Sequence, residues 1–157
     1  MGGKKALKEI DATWIPGESV GPIVLGNPAE SISSFLTVER KNYDCGPEDE
    51  TFCDVDDEWM ISAENGYIST IACFRKCVYE GVNLVGLPIE DCLERLGCDR
   101  NKSADDSVWF EDGDQDVYEV DSLGAQIWVF KGRVDSIAVM EIYDEDGVTV
   151  IHPFRKS

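Results

Sequence analysis

The alternation of apolar and polar positions is clearest in two stretches of the chain. Trp59-Met60-Ile61-Ser62-Ala63 leads through Glu64-Asn65-Gly66 into Tyr67-Ile68-Ser69-Thr70-Ile71-Ala72-Cys73-Phe74. Later, Ala125-Gln126-Ile127-Trp128-Val129-Phe130 passes through Lys131-Gly132 into Val134-Asp135-Ser136-Ile137-Ala138-Val139-Met140. A period of two over runs rich in β-branched and aromatic residues predicts half-buried strands. Asn-Gly is a strong two-residue hairpin signal because both positions tolerate positive φ. Asp146-Gly147 predicts a third turn, joining Met140–Tyr143 to Val148–Ile151.

Ahead of each strand pair lies a segment with a longer period. Gly26-Asn27-Pro28-Ala29-Glu30-Ser31-Ile32-Ser33-Ser34-Phe35-Leu36 aligns with Gly86-Leu87-Pro88-Ile89-Glu90-Asp91-Cys92-Leu93-Glu94-Arg95-Leu96. Each copy has Gly, then Pro, then Glu two residues on, with apolar residues every three or four positions. Proline suits a first helical turn, where its missing N–H costs nothing, and Glu30 and Glu90 fall near the positive end of the helix dipole. Asn27 forms a capping-box-like start and Gly97 a stop. These patterns predict two short helices, with Ile32, Phe35 and Leu36 on one apolar face and Cys92, Leu93 and Leu96 on its counterpart.

The predicted fold class is therefore α+β: a meandering antiparallel sheet with two short helices, built as a degenerate tandem repeat. One domain spans residues 1–157, with repeats over about 14–75 and 76–143 and a C-terminal hairpin strand over 147–154. One face of the sheet carries the helices, which leaves the other face or its loops for binding.

Charge changes the picture most. The chain has 14 Lys and Arg against 32 Asp and Glu, a net charge of −18. Phosphate contacts need clustered cations, so nucleic acid and anionic membrane surfaces are excluded as partners. A field of this sign steers a cationic protein inward and speeds its association. The acid is concentrated. One stretch free of Lys and Arg runs from Asp44 to Glu58 and another from Asp105 to Asp121, with a smaller cluster at Glu141, Asp144, Glu145 and Asp146. The candidate partner-binding residues are Glu48, Asp49, Glu50, Asp54, Asp56 and Asp57 in the first stretch. In the second they are Asp105, Asp106, Glu111, Asp112, Asp114 and Asp116. Both stretches read as acidic loops between helix and strand pair, able to form one continuous surface if the repeats lie side by side. Tyr43, Phe52, Trp59, Trp109, Phe110 and Tyr118 lie in or beside them, as aromatic anchors of an interface would. Of these, Trp59 and Trp109 border strands and are expected to be buried.

Candidate chemistry is sparse. The single histidine, His152, sits beside Pro153 near the C-terminus, which excludes a catalytic dyad or triad built on two histidines. Asp112, Asp114 and Asp116 match positions one, three and five of an EF-hand loop, but Val117 replaces the required Gly and Leu123 the bidentate Glu. No Walker spacing follows the glycines. Of six cysteines, Cys73, Cys77 and Cys92 lie in apolar runs and read as small core residues, whereas none forms a close CxxC pair of the zinc type. The expectation is a non-enzyme without cofactor or metal. The basic residues at the start precede no apolar run of a secretory leader, Ala6 breaks the myristoylation pattern after Gly2, and no stretch has transmembrane length, so a cytoplasmic protein is expected.

One resemblance adds a partner. The run from Cys77 to Glu90, with its Tyr79-x-Gly81-x-Asn83-Leu84-Val85-Gly86, is followed by Leu123-Gly124-Ala125-Gln126-Ile127-Trp128. Together they resemble a pattern of small bacterial immunity proteins encoded beside polymorphic toxins, including those of contact-dependent growth inhibition. The likeness covers about the second half of the chain. In architecture the helix-and-sheet tandem also resembles the β-lactamase inhibitor proteins. The immunity resemblance implies a protein that binds its cognate toxin domain, often a basic nuclease, and masks its active site. It transfers no binding residues, so the acidic positions above stand on charge alone. The competing reading is a non-enzymatic structural or assembly module of lipoprotein-like type, and an enzyme ranks behind both.

Overall fold

The computed structural model describes residues 12–34, 38–41, 49–54, 59–64, 66–143 and 150–151. Its centre is an antiparallel sheet of eight strands. Four come from the first half of the chain, β4 (Val38–Lys41), β5 (Asp49–Asp54), β6 (Trp59–Glu64) and β7 (Tyr67–Cys73). Four come from the second, β10 (Asp106–Val108), β11 (Gln115–Val120), β12 (Ala125–Phe130) and β13 (Arg133–Met140). Each set is a meander, and the spatial order is β10-β11-β12-β13-β7-β6-β5-β4. The meanders meet where β7 pairs with β13, with Ala72 opposite Ala138, Cys73 opposite Ile137 and Ile71 opposite Val139. Bulges fall at Ser62/Ala63 and Trp128/Val129.

The hairpins are legible in their turns. Gly66 has φ 84°, and Lys131 and Gly132 have φ 52° and 80°, the double positive φ of a type I′ turn. Asn65 lies outside the described residues. Smaller hairpins precede each meander. The first is β1 (Trp14–Ile15), β2 (Ser19–Val20) and β3 (Ile23–Val24); the second is β8 (Val78–Tyr79) and β9 (Val82–Asn83). They join through a parallel bridge between Thr13 and Val78. Beyond β13, β14 (Ile142–Tyr143) pairs with β15 (Val150–Ile151), the strands expected to flank Asp146-Gly147; the turn itself lies outside the described residues.

Of the two predicted helices, one is α-helical. α1 (Ile89–Arg95) buries Ile89, Cys92 and Leu93. Its end is a Schellman cap. The Cys98 N–H donates to the Leu93 carbonyl at 2.9 Å, the Gly97 N–H donates to the Glu94 carbonyl at 3.1 Å, and Gly97 has φ 79°. The segment after Pro28 is instead a six-residue 3-10 turn, Ala29–Ser34. Ser31 accounts for part of the difference, because its hydroxyl donates to the Pro28 carbonyl at 2.6 Å and competes with α-helical bonding.

Both segments are tied to the sheet by the same bonds. In the first half the Gly26 N–H donates to the Ile68 carbonyl, the Ile68 N–H to the Asn27 carbonyl, and the Ala29 N–H to the Gly66 carbonyl. In the second, Gly86 donates to Val134, Val134 to Leu87, and Ile89 to Gly132.

The hydrophobic core lies on one face of the sheet. Ile61, Ile71, Ile127, Ile137 and Val139 are closed off there beneath Trp14, Ile23, Leu25, Leu84, Cys92 and Leu93. Each fully buried side chain of this size stabilises the fold by roughly 1.5–3 kcal/mol. Cys73, Cys77 and Cys92 are buried free thiols, as their apolar surroundings in the sequence suggested, and Cys98 is partly exposed. Burial pushes the Cys92 thiol up to about 12. Its hydrogen bond to Cys73, then burial, raises Cys77 well above the ordinary value.

Candidate protein-docking face

The residues that alternate with the core positions point to the other face of the sheet, where Val117 and Ser136 are buried but Met60, Ala72, Gln126, Trp128 and Ala138 stay partly exposed. Register places Met60 opposite Ala72, Ala72 opposite Ala138, and Ala138 opposite Gln126, one row across four strands. A second row pairs Ser136 with Trp128. Small side chains at the centre and large ones outside leave a furrow of about 480 Å³. Ala72, Ser136 and Ala138 line it, as do Met60, Phe74 and Trp128.

The turn between β10 and β11 closes one side. Phe110 lines the furrow. Gly113, at φ 133°, lies against the Phe130 ring so closely that a Cβ there would sit 2.8 Å from Phe130 Cε1. The Gly113 N–H donates to the Phe110 carbonyl at 3.1 Å, which tightens the turn. The tip is thus held on the sheet while Trp109 stands 73 % exposed. This reverses the expectation that Trp109 is buried; Trp59 is buried at 3 %. Both tryptophans border a strand, but Trp59 occupies a core-facing position of β6 and Trp109 lies just beyond β10.

The furrow's polar groups are acidic or neutral. Asp135 lines it and accepts a hydrogen bond from Gln115 Nε2 at 3.4 Å. Gln126 donates to Glu119 Oε1 at 3.2 Å. Beside the furrow, and sharing Gln126 with it, lies a hollow of about 270 Å³ bearing Glu119, Asp121 and Glu141. Among the described residues no Lys or Arg lines either space.

The predicted site residues divide. Glu48, Asp56 and Asp57 lie outside the described residues. Asp49, Glu50 and Asp54 belong to β5, and Asp106 and Asp116 to β10 and β11, so the two acidic stretches contain strands rather than loops alone. Charged residues fit here because they sit towards the sheet's edges, where they discourage pairing with another chain. The stretches are also not adjacent. Four strands separate β5 from β11, a span of about 24 Å at the usual spacing.

Asp105 is engaged within the chain, since it accepts from the Glu119 N–H at 2.7 Å and pairs with Lys102 at 3.1 Å. The backbone bond first, then Lys102, holds its carboxyl below the ordinary value of 3.8. Asp106 shares the open-face register with Val117, whereas Asp116 stands opposite Val129, on the core side. Glu111, Asp112 and Asp114 are exposed on the anchored turn. Asp135, Trp128, Gln126 and the small residues of the furrow floor were not among the sequence candidates. Their signal was the alternation itself, which sets Trp128 out of phase with Ile127 and Val129.

The motif positions of the second half are folding positions. Glu80 and Gly81 form a turn with φ 50° and 84°. Asn83 Oδ1 accepts from the N–H groups of Cys77 and Val85, and Leu84 is fully buried. Among the described residues no group of three His, Cys, Asp or Glu is placed to hold a metal ion. No described helix is long and apolar enough to cross a membrane. Neither the protein-family models, nor the curated proteins, nor the solved structures include a match to this chain.

Proposed function

We propose that this chain is a non-catalytic immunity protein, which binds a basic toxin domain and neutralises it by masking its active site. The observation that carries the reading is the partly exposed sheet face. It combines an apolar furrow with a rim containing Asp135 and Glu119 and, among the described residues, no lining Lys or Arg, in a chain of net charge −18. A monomer rarely leaves such a face open without use. Aromatic and aliphatic anchors inside an acidic surround suit a hot spot facing a cationic partner. The resemblance in the second half supplies the toxin as that partner and the cytoplasm as the place of encounter. We read the two meanders, with their paired hydrogen bonds to the preceding segments, as degenerate copies of one unit that together build the face.

The test is co-expression with the product of the gene immediately upstream, followed by co-purification. The expected result is relief of growth arrest and a complex of nanomolar affinity or tighter, whose association slows as salt is raised. If that gene encodes no basic toxic domain, or if the arrest persists, the reading fails.

A further inference from the structure

We propose that the furrow is an arginine socket: it receives an arginine side chain carried on a loop of the basic partner. The inference rests on the binding reading above and names the chemistry of its anchor.

Two features of the furrow select the occupant. Its lining includes the rings of Trp128, Phe110 and Phe74, whereas the central strands β7 and β13 give it the small side chains of Ala72, Ser136 and Ala138. A planar group entering the furrow therefore has aromatic rings in its lining to stack on and small side chains beneath it. Asp135 then supplies the negative charge at the lining, with Glu119 across Gln126 in the adjoining hollow. Guanidinium is planar, always charged, less strongly hydrated than ammonium and able to bond a carboxylate through two N–H groups. It stacks on aromatic faces, and a tryptophan face is the best of these. Lysine offers the charge without the plane. An uncharged apolar side chain would fill the volume and leave the carboxylate unanswered. Trp109, 73 % exposed, precedes the furrow-lining Phe110 on the turn that Gly113 sets against Phe130, so it is the nearest chain neighbour of that ring available to an incoming loop.

The experiment uses the whole chain and two capped synthetic peptides, one alternating glycine with arginine and the other glycine with lysine. Binding is followed by the indole N–H signals of the four tryptophans. The expected result is that the arginine peptide shifts Trp128 and Trp109 and leaves the buried Trp14 and Trp59 in place. It binds about tenfold more tightly than the lysine peptide. Asp135→Asn and Ala138→Trp each weaken it by about tenfold or more. Asp135 and Trp109 are exposed, so Asp135→Asn and Trp109→Ser decide the matter if Ala138→Trp does not fold. Equal affinity for the two peptides, no binding, or shifts that bypass Trp128 would overturn the socket. Binding of an uncharged apolar molecule in preference to either peptide would overturn it as well. A toxin that is neutralised equally well by Ala138→Trp contradicts the socket and leaves the immunity reading standing. A socket that binds arginine in a chain with no toxic neighbour does the reverse.

Discussion

Ile127 and Val129 on β12 are closed off from solvent, while Gln126, Trp128 and Phe130, which alternate with them, are only partly covered. The same contrast runs through β6, and through β13 except at the buried Ser136, so the central strands of the sheet present two faces of different design. The covered face is built from β-branched and aliphatic residues, and hairpins and α1 close it. The open face mixes alanine, serine, threonine, methionine and aromatic rings, and keeps its acid at the rim. Residues chosen only to be wetted would not need Trp128 or Phe110 there. The difference between the faces separates what holds the fold from what the fold presents.

The largest effect that sharpens this contrast comes from neighbouring residues of β13. Ile137→Ala opens a cavity on the covered face and is expected to cost 2–5 kcal/mol in denaturant unfolding, roughly. Ala138→Ser, one residue on and facing the furrow, is expected to stay within about 0.5 kcal/mol. Equal losses would erase the distinction between the faces.

Gly124 comes next. It caps the turn before β12 at φ 64°, and a Cβ there would lie 2.3 Å from the Met140 carbonyl oxygen. Gly124→Ala therefore adds backbone strain and forces β12 away from the end of β13, at about 2 kcal/mol or more. Thermal unfolding measures the loss, and a wild-type midpoint would contradict the close approach.

Alkaline pH probes the covered face alone among the two. The folded state raises the Cys92 thiol from 9.0 to about 12, so between those values the unfolded chain releases a proton that the folded chain keeps. Stability then falls as pH rises from 9 towards 12. The phenols of Tyr79 and Tyr118, raised chiefly by burial, act in the same sense. In Cys92→Ala the decline is shallower, as urea midpoints across this range should show.

The smallest effect concerns Asp105 at the sheet edge. Its carboxyl is lowered in the folded state, so its contribution is present above the ordinary value of 3.8 and is lost as pH falls through the lowered one. Asp105→Asn removes that dependence and is expected to speed hydrogen exchange at the Glu119 N–H, the bond it loses.

Much of the covered face was legible from the chain. Lys131-Gly132 marked the turn between β12 and β13, and the second Gly-x-Pro signal marked the start of α1, whereas the first marked a 3-10 turn. The cysteines in apolar runs are buried. Four things were not legible, each for a physical reason. The pairing of β7 with β13 joins residues far apart in sequence, and local periodicity does not encode it. The strands β5, β10 and β11 were hidden by carboxylates, which lower strand propensity in general but are tolerated near edges. Trp109 was expected in the core because it borders a strand, whereas its place beyond the end of β10 leaves it outside. The open face itself was anticipated, but its furrow was not, because alanines and serines become a groove only once their neighbours' register is known.

The measurement that bears most directly on the central claim is the affinity of the upstream-encoded toxin domain for the native chain and for Ala138→Trp, by calorimetric titration. If the open face is the docking face, filling the furrow weakens binding by about a hundredfold while the unfolding midpoint stays close to the native one, a loss of about 2.8 kcal/mol. Unchanged affinity in a folded Ala138→Trp protein would contradict the account.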